Sequence, residues 1–192
     1  MQIFLIGPSG SGKDTQAKLI SQEFDLHWLS VGEYFRQIAK VNDDMGQYIQ
    51  HAINTGNLLD WVHLEPVILS ELKVNSHNFI WTGFPRLLSQ AKRFDNLINQ
   101  FNSKLDLVIN LSLDDNKSKE RIEYRKNSDP NVRQDDLQQE AIERRLSWYK
   151  ESIEDIREYY LQRFIEVDAT KSVQSVFQYI KQEINKKAID YE

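Results

Sequence analysis

Four short apolar runs punctuate the chain, IFLI at 3–6, FIW at 79–81, LVINL at 107–111 and FIEV at 164–167, and HWLS at 27–30 reads as a fifth, shorter one. Each has strand length and β-branched or aromatic content. The runs are nearly continuous rather than alternating, which is the pattern of strands covered on both faces in a parallel sheet. Between them the apolar period lengthens to that of helices. Residues 86–102 place Leu87, Ala91, Phe94, Leu97, Ile98 and Phe101 on one face. Residues 135–161 open on Asp135 and Asp136, acids suited to the positive end of a helix, and carry a stripe from Leu137 through Ala141, Ile142, Leu146, Tyr149, Ile153 and Ile156 to Tyr160. The pair Tyr159 and Tyr160 reads as core packing. Residues 172–186 bury Val176, Phe177 and Ile180, with Ser172 as the cap. Strand and helix in alternation predict an α/β fold, a parallel sheet between helical layers.

Two stretches exceed what simple crossovers need. Residues 42–75 are mostly helical and read as an insertion on top of the sheet. The segment RKNSDPNVRQDD at 125–136 gathers the turn formers Asn127, Ser128, Asp129, Pro130 and Asn131 between arginines, and reads as a short mobile loop. No repeat or long linker divides the chain, so its 192 residues are expected to form one domain.

Composition narrows the chemistry. With no cysteine, thiolate zinc sites and thiol catalysis are excluded, and the four histidines lack any metal-ligand spacing, so no zinc is expected. The N-terminal MQIFLIGP is too short an apolar run for a signal peptide or a spanning helix, and a soluble, cytoplasmic protein is expected. The formal net charge of −5 offers no general attraction to nucleic acid or anionic membrane, so neither is expected as a partner. Any anionic ligand must be met by a local cluster of Lys and Arg.

Such a cluster begins at residue 7. Gly7, Gly12 and Lys13 match the first seven positions of G-x-x-x-x-G-K-[ST], directly after an expected strand and before an expected helix. Glycines, Gly10 among them, let the backbone wrap a polyphosphate, the helix start adds its dipole, and Lys13 adds a cation. Position 14 breaks the pattern: Asp14 stands where a hydroxyl directed at magnesium is usual.

The run GSGKDTQAKLI, followed by LSVGEYFRQ (29–37), NTGNLLD (54–60), WTGFPRLLSQA (81–91), ERIEYR (120–125), VRQDD (132–136), ERRL (143–146) and VDATKSVQSVF (167–177), resembles the adenylate kinase family of nucleoside monophosphate kinases in order and spacing. The resemblance covers nearly the whole chain. It implies a P-loop NTPase fold with a five-stranded parallel sheet, a core of residues 1–30, 76–125 and 135–192, a helical monophosphate-binding insertion at about 31–75, and a short lid at about 126–134. It further implies ATP, a nucleoside monophosphate and Mg²⁺ as ligands, in a monomer. By position, Gly10, Ser11, Gly12, Lys13, Asp14 and Thr15 would hold the ATP phosphates, with Arg121 against the ATP base and Lys171 also at the ATP site. Val31, Arg36, Asn57, Leu58, Gly83, Arg86 and Gln90 would hold the acceptor, Arg36 and Arg86 gripping its phosphate and Gln90 reading its base. Lys13, Arg86, Arg125, Arg133 and Arg145 would serve the transferred group, the last two also touching the acceptor. Arg144 reads either as their assistant or as a solvated helix charge.

The chain departs from that family at three places. Val31 stands where a threonine usually contacts the acceptor base, and Thr82 replaces the aspartate of DGFPR, which helps organise magnesium through water. Asp14 replaces a glycine. The resulting expectation is that Asp14 takes over part of the metal's carboxylate shell, with Glu33 reaching it through water. AMP leads as acceptor. The alternatives are CMP, UMP or a deoxynucleotide, a nucleotide-binding protein with weak or no turnover, or a kinase of a non-nucleotide metabolite.

Overall fold

The computed structural model describes residues 1–128 and 132–189. Strands form where the apolar runs stand: β1 (Gln2–Ile6), β2 (His27–Ser30), β3 (Phe79–Thr82), β4 (Leu107–Ser112) and β5 (Phe164–Asp168). All pair in parallel, in the order β2-β3-β1-β4-β5. Helices α1 (Lys13–Phe24), α2 (Val31–Ile38), α3 (Asp44–Thr55), α4 (Trp61–Val74), α5 (Leu88–Asn99), α6 (Asp115–Ser128), α7 (Gln139–Tyr159) and α8 (Val173–Ile189) lie between and after them. Among the described residues no helix is long and apolar enough to cross a membrane.

The two faces of β1 explain its unbroken apolar run. Phe4 and Ile6 enter one core with residues of α2, α3, α4, α5 and α7, while Ile3 and Leu5 enter a second with α1 and α8. A strand buried on both sides has no polar face to alternate with. In the larger core the Phe4 ring lies 4.7 Å from Phe94 and meets Phe84 edge-on at 5.6 Å, the geometry that aromatic quadrupoles favour.

Several boundaries differ from the sequence expectation. The long helix starts at Gln139, not 135; Asp135 and Asp136 sit in a separate 3-10 turn at 5% and 1% exposure. They are there as counter-ions to buried arginines, not as solvated acids on a helix end. Leu137 accordingly falls off the stripe and is exposed, as is Tyr159, whereas Tyr160 is in the core. Residues 86 and 87 precede α5, and Ser172 accepts from the Ser175 N–H at 3.1 Å, capping α8. The loop read at 125–136 is shorter than expected, because Arg125–Ser128 complete α6 and Gln134–Asp136 form the turn. Its turn formers Asp129, Pro130 and Asn131 lie outside the described residues. Helix α6 carries almost no apolar stripe, only Ser118 and Ile122 being buried, so periodicity gives it little signal.

Residues 31–75 form α2, α3 and α4, and the end of α3 comes against the start of α7. The close point is Gly56, at φ 70°, where an added Cβ would lie 2.6 Å from the Ala141 carbonyl oxygen. Both the backbone angle and the space demand glycine there. Gly56→Val is expected to lower unfolding stability by about 1–3 kcal/mol, the range for a strained backbone, measured by urea denaturation.

Candidate active site

The segment between β1 and α1 is built to leave backbone donors available. Gly12 is the N-cap of α1 at φ 89°, a left-handed angle, and no side chain caps the first turn. Uncapped first-turn amides are a ready anion site. Lys13 lies along the loop, its Nζ donating to the Gly7 and Pro8 carbonyls at 2.8 Å each. Ser11 is buried beneath it, with Oγ 3.4 Å from that Nζ.

This loop floors a cavity of about 250 Å³, to which Gly10, Gly12, Lys13, Asp14 and Thr15 contribute. Arginines arrive from five other places: Arg36 on α2, Arg86 after β3, Arg125 on α6, Arg133 just before the 3-10 turn and Arg145 on α7. So many cations need counter-ions. Asp136 supplies one carboxylate to two of them: Oδ2 accepts from Arg125 Nε at 2.8 Å and Nη2 at 2.6 Å, and Oδ1 accepts from Arg145 Nη2 at 2.9 Å. Asp135 Oδ2 accepts from Arg145 Nη1 at 2.5 Å. Arg125 and Arg145 are thereby fixed in direction by a turn that is itself buried.

Charge crowding is visible in the protonation equilibria. Burial pushes Lys13 down to about 7; Asp14 opposes the shift, while Arg86, Arg125 and Arg133 add to it. Arg86 falls to about 10 through burial, reinforced by Arg145, and stays protonated at neutral pH. Burial alone would raise the Asp14 carboxyl, but Lys13 and Arg133 outweigh it and hold it below its ordinary value.

A second cavity of about 70 Å³ adjoins the first, sharing Gly83, Arg36, Arg86 and Arg145 as its wall. Its other residues are chiefly apolar, among them Val31, Phe35, Leu58 and Leu64, with Asn57 at its rim. Gln90 is a buried polar group of this cavity at 6% exposure, as is Asp135 at 5%, and the Gln90 Oε1 accepts from the Arg86 backbone N–H at 2.8 Å. Asn57 Oδ1 accepts from Arg144 Nη1 at 2.9 Å, so Arg144 ties the insertion to α7 rather than standing in solvent alone.

Not every expected residue converges. Arg121 donates through Nη2 to the Ala169 carbonyl at 2.8 Å, and the exposed Lys171 lies 3.6 Å from Asp168; neither lines either cavity. Glu33 is exposed and engaged, its Oε2 with Arg36 Nε at 2.9 Å and its Oε1 with Gln37 Nε2 at 2.5 Å. Conversely, Trp148, Tyr149 and Ser152 line the first cavity, and the Tyr149 hydroxyl donates to Asn110 Oδ1 at 3.1 Å. The stripe containing Tyr149, Ile153 and Ile156 reads as core from periodicity alone. Their three- and four-residue steps from Arg145 were the signal that the same helix face reaches the cavity.

Among the described residues no three His, Asp or Glu side chains gather as a metal cluster. The Asp14 carboxylate and the Ser9 and Thr15 hydroxyls are the side-chain oxygens beside the loop on the cavity wall; the Thr82 hydroxyl, fully buried behind them, donates to Asp14 Oδ1 at 3.1 Å. A set so small suits a cation that brings most of its oxygens as water and phosphate, as Mg²⁺ does.

Comparison with known proteins adds an independent line. The sequence pattern of adenylate kinase matches residues 5–165. An adenylate kinase of Azobacteroides pseudotrichonymphae genomovar. CFP2 is 34% identical over 96% of this chain and 97% of its own. One from Wolbachia sp. subsp. Drosophila simulans (strain wRi) is 30% identical over 96% and 98%, and one from Synechococcus sp. (strain RCC307) is 31% identical over 84% and 85%.

The position of Lys13 makes anion binding proton-linked. A polyphosphate anion beside Nζ restores its ordinary affinity for a proton, so at pH 8, above about 7, binding takes up a proton. Titration calorimetry with a nucleoside triphosphate in buffers of different ionisation enthalpy is expected to show uptake approaching one proton at pH 8 and little at pH 6. Lys13→Met should remove the buffer dependence.

Proposed function

The chain belongs to the adenylate kinase family and is a phosphotransferase acting on nucleoside monophosphates, and we propose that its acceptor is AMP, with ATP as donor and two ADP as products. The observation that carries the acceptor reading is the hydrogen bond between the Arg86 backbone N–H and Gln90 Oε1 at 2.8 Å. A backbone N–H only donates, so it fixes which end of the amide is oxygen and leaves Nε2 as the end that reads a base. An N–H donor meets the ring-nitrogen acceptor on the pairing edge of adenine or cytosine. Guanine and uracil present an N–H there instead and leave two donors opposed, an arrangement costly in a buried site. The lining of Val31, Phe35, Leu58 and Leu64 favours the larger, flatter adenine over cytosine through apolar contact.

Phosphoryl transfer asks the protein for alignment and charge rather than a nucleophile. The bond from the terminal phosphorus to the ADP oxygen breaks as one forms to an oxygen of the AMP phosphate, already anionic at neutral pH. In this reading Lys13 and the loop from Gly10 to Thr15 hold the triphosphate, with Arg121 against its base and Lys171 also at the ATP site. Arg36 and Arg86 hold the acceptor phosphate. Arg125, Arg133 and Arg145 neutralise the moving group, each charge pair at ~4 Å contributing roughly 4 kcal/mol at an effective dielectric of 20. Mg²⁺, when bound with ATP, would spread charge over the phosphates, its water shell lying beside the Asp14 carboxylate; Glu33, engaged by Arg36 and Gln37, would reach it only through water. The segments at about 31–75 and 126–134 would exclude water, in a cytoplasmic monomer.

An assay of diphosphate formation from ATP against AMP, CMP, GMP, UMP and dTMP is expected to rank AMP first, with GMP and UMP at least about a hundredfold lower in kcat/KM. Equal or faster use of GMP or UMP would overturn the acceptor reading. Gln90→Leu is expected to cut kcat/KM for AMP by about ten- to a hundredfold and to flatten the ranking.

A further inference from the structure

The carboxylate of Asp14 joins two elements that are distant in sequence. Its Oδ1 accepts from Thr82 Oγ1 at 3.1 Å, and Thr82, fully buried at the end of β3, accepts in turn from Trp28 Nε1 at 3.1 Å. Its Oδ2 meets Arg133 Nη2 at 3.1 Å, 119 residues along the chain. A line of hydrogen bonds therefore runs from β2 through β3 and the phosphate loop to the arginine before the 3-10 turn.

Arg133 needs such an anchor. It faces a cavity that also holds Lys13, Arg86, Arg125 and Arg145, all of its own sign. Asp135 Oδ2 and both Asp136 oxygens are directed at Arg145 and Arg125, and the remaining Asp135 Oδ1 is buried with no hydrogen bond to Arg133. Among the described residues Asp14 is the acid that meets Arg133 directly, and the pair is partly shielded, at 28% and 36% side-chain exposure.

We propose that Asp14 is the positioning residue for Arg133, holding its guanidinium beside the phosphate loop so that it meets the transferred phosphoryl group already oriented. The proposal rests on the reading of this cavity as the triphosphate site. Five N–H donors allow one guanidinium to serve Asp14 and a phosphate oxygen together. Asp14 does not touch the reacting atoms; it acts through Arg133. Thr82 completes the device by fixing the carboxylate from behind, and does so as a neutral donor. A carboxylate in its place would stand about 3 Å from Asp14 and repel it by several kcal/mol.

Two readouts on the full chain separate this role from a structural one and from a metal one. The first is ¹⁵N NMR of the arginine side chains without nucleotide, Arg133 being assigned by loss of its signal in Arg133→Lys. A slowly rotating Arg133 guanidinium is expected in the wild type, and fast rotation with a shifted Nε–H signal in Asp14→Asn, with Thr82→Val in between. The second is kinetics at saturating Mg²⁺. Asp14→Asn is expected to lower kcat about tenfold with acceptor KM changed less than about twofold, and to cost less than about twofold more when Arg133 is already Ala. An Arg133 signal indifferent to Asp14→Asn overturns the proposal. So do costs that multiply in the double variant, or a loss that added Mg²⁺ restores. Should no acceptor be phosphorylated at all, the kinase reading falls, and the NMR experiment decides the Asp14–Arg133 coupling alone.

Discussion

The constraint on which this structure turns is the gathering of six cations, Lys13, Arg36, Arg86, Arg125, Arg133 and Arg145, around one cavity in a chain whose net charge is −5. Guanidinium groups so close repel, and burial removes the water that would screen them. Lys13 registers the cost in a pKa pushed down to about 7, by burial first and by Arg86, Arg125 and Arg133 after it. The fold makes the cluster tolerable with local carboxylates: Asp135 and Asp136 on Arg145 and Arg125, Glu33 on Arg36, and Asp14 on Arg133. These acids do more than neutralise. Each accepts a directed hydrogen bond from an arginine, and so converts a repelling set of charges into a set with fixed aim.

The sheet order explains how residues from so many parts of the chain reach one place. In the order β2-β3-β1-β4-β5 the first strand is central, and parallel pairing brings all carboxyl ends to one edge. Ligand sites of open parallel sheets lie beyond that edge, where connections leave in opposite directions. Here the loop after β1 provides the backbone donors, the loop after β3 provides Arg86, and the end of β2 leads directly into α2 with Arg36. The other three arginines come from α6, the turn and α7, which cross above. The Gly56 contact with Ala141 brings the α3 end against α7, beside the second cavity, which Gly56 and Gln90 both line.

Much of this was legible in the sequence because it depends on local rules. Apolar runs gave the five strands to within a residue or two, since a doubly covered strand has no competing pattern. The glycine loop and the arginines were legible because their chemistry requires those residue types. What escaped depends on tertiary partners. Asp135 and Asp136 read as helix-start acids because sequence cannot show that Arg125 and Arg145 would desolvate them. Tyr149 packs against the core as its stripe implied, but that it also lines the cavity was hidden, because a helix face lining a cavity and one packed against a sheet have the same period. Helix α6 gave little signal because it turns almost no apolar surface inward. Arg121 and Lys171 line neither cavity.

Position 14 shows how such a chain can exchange one solution for another. An acid on the phosphate loop and an acid at the end of β3 would share the space between two groups now 3.1 Å apart, so the two are alternatives and not additions. With threonine at 82 the strand end keeps a hydrogen bond to the loop, and the negative charge moves onto the loop itself, nearer Arg133. The move has a penalty, because a carboxylate at the start of α1 also opposes incoming phosphates. It is offset only while a cation stands between them, and Lys13 on one side and Arg133 on the other fill that place. The carboxylate is thus not a flaw in an anion site but the member that makes Arg133, 119 residues along the chain, part of it.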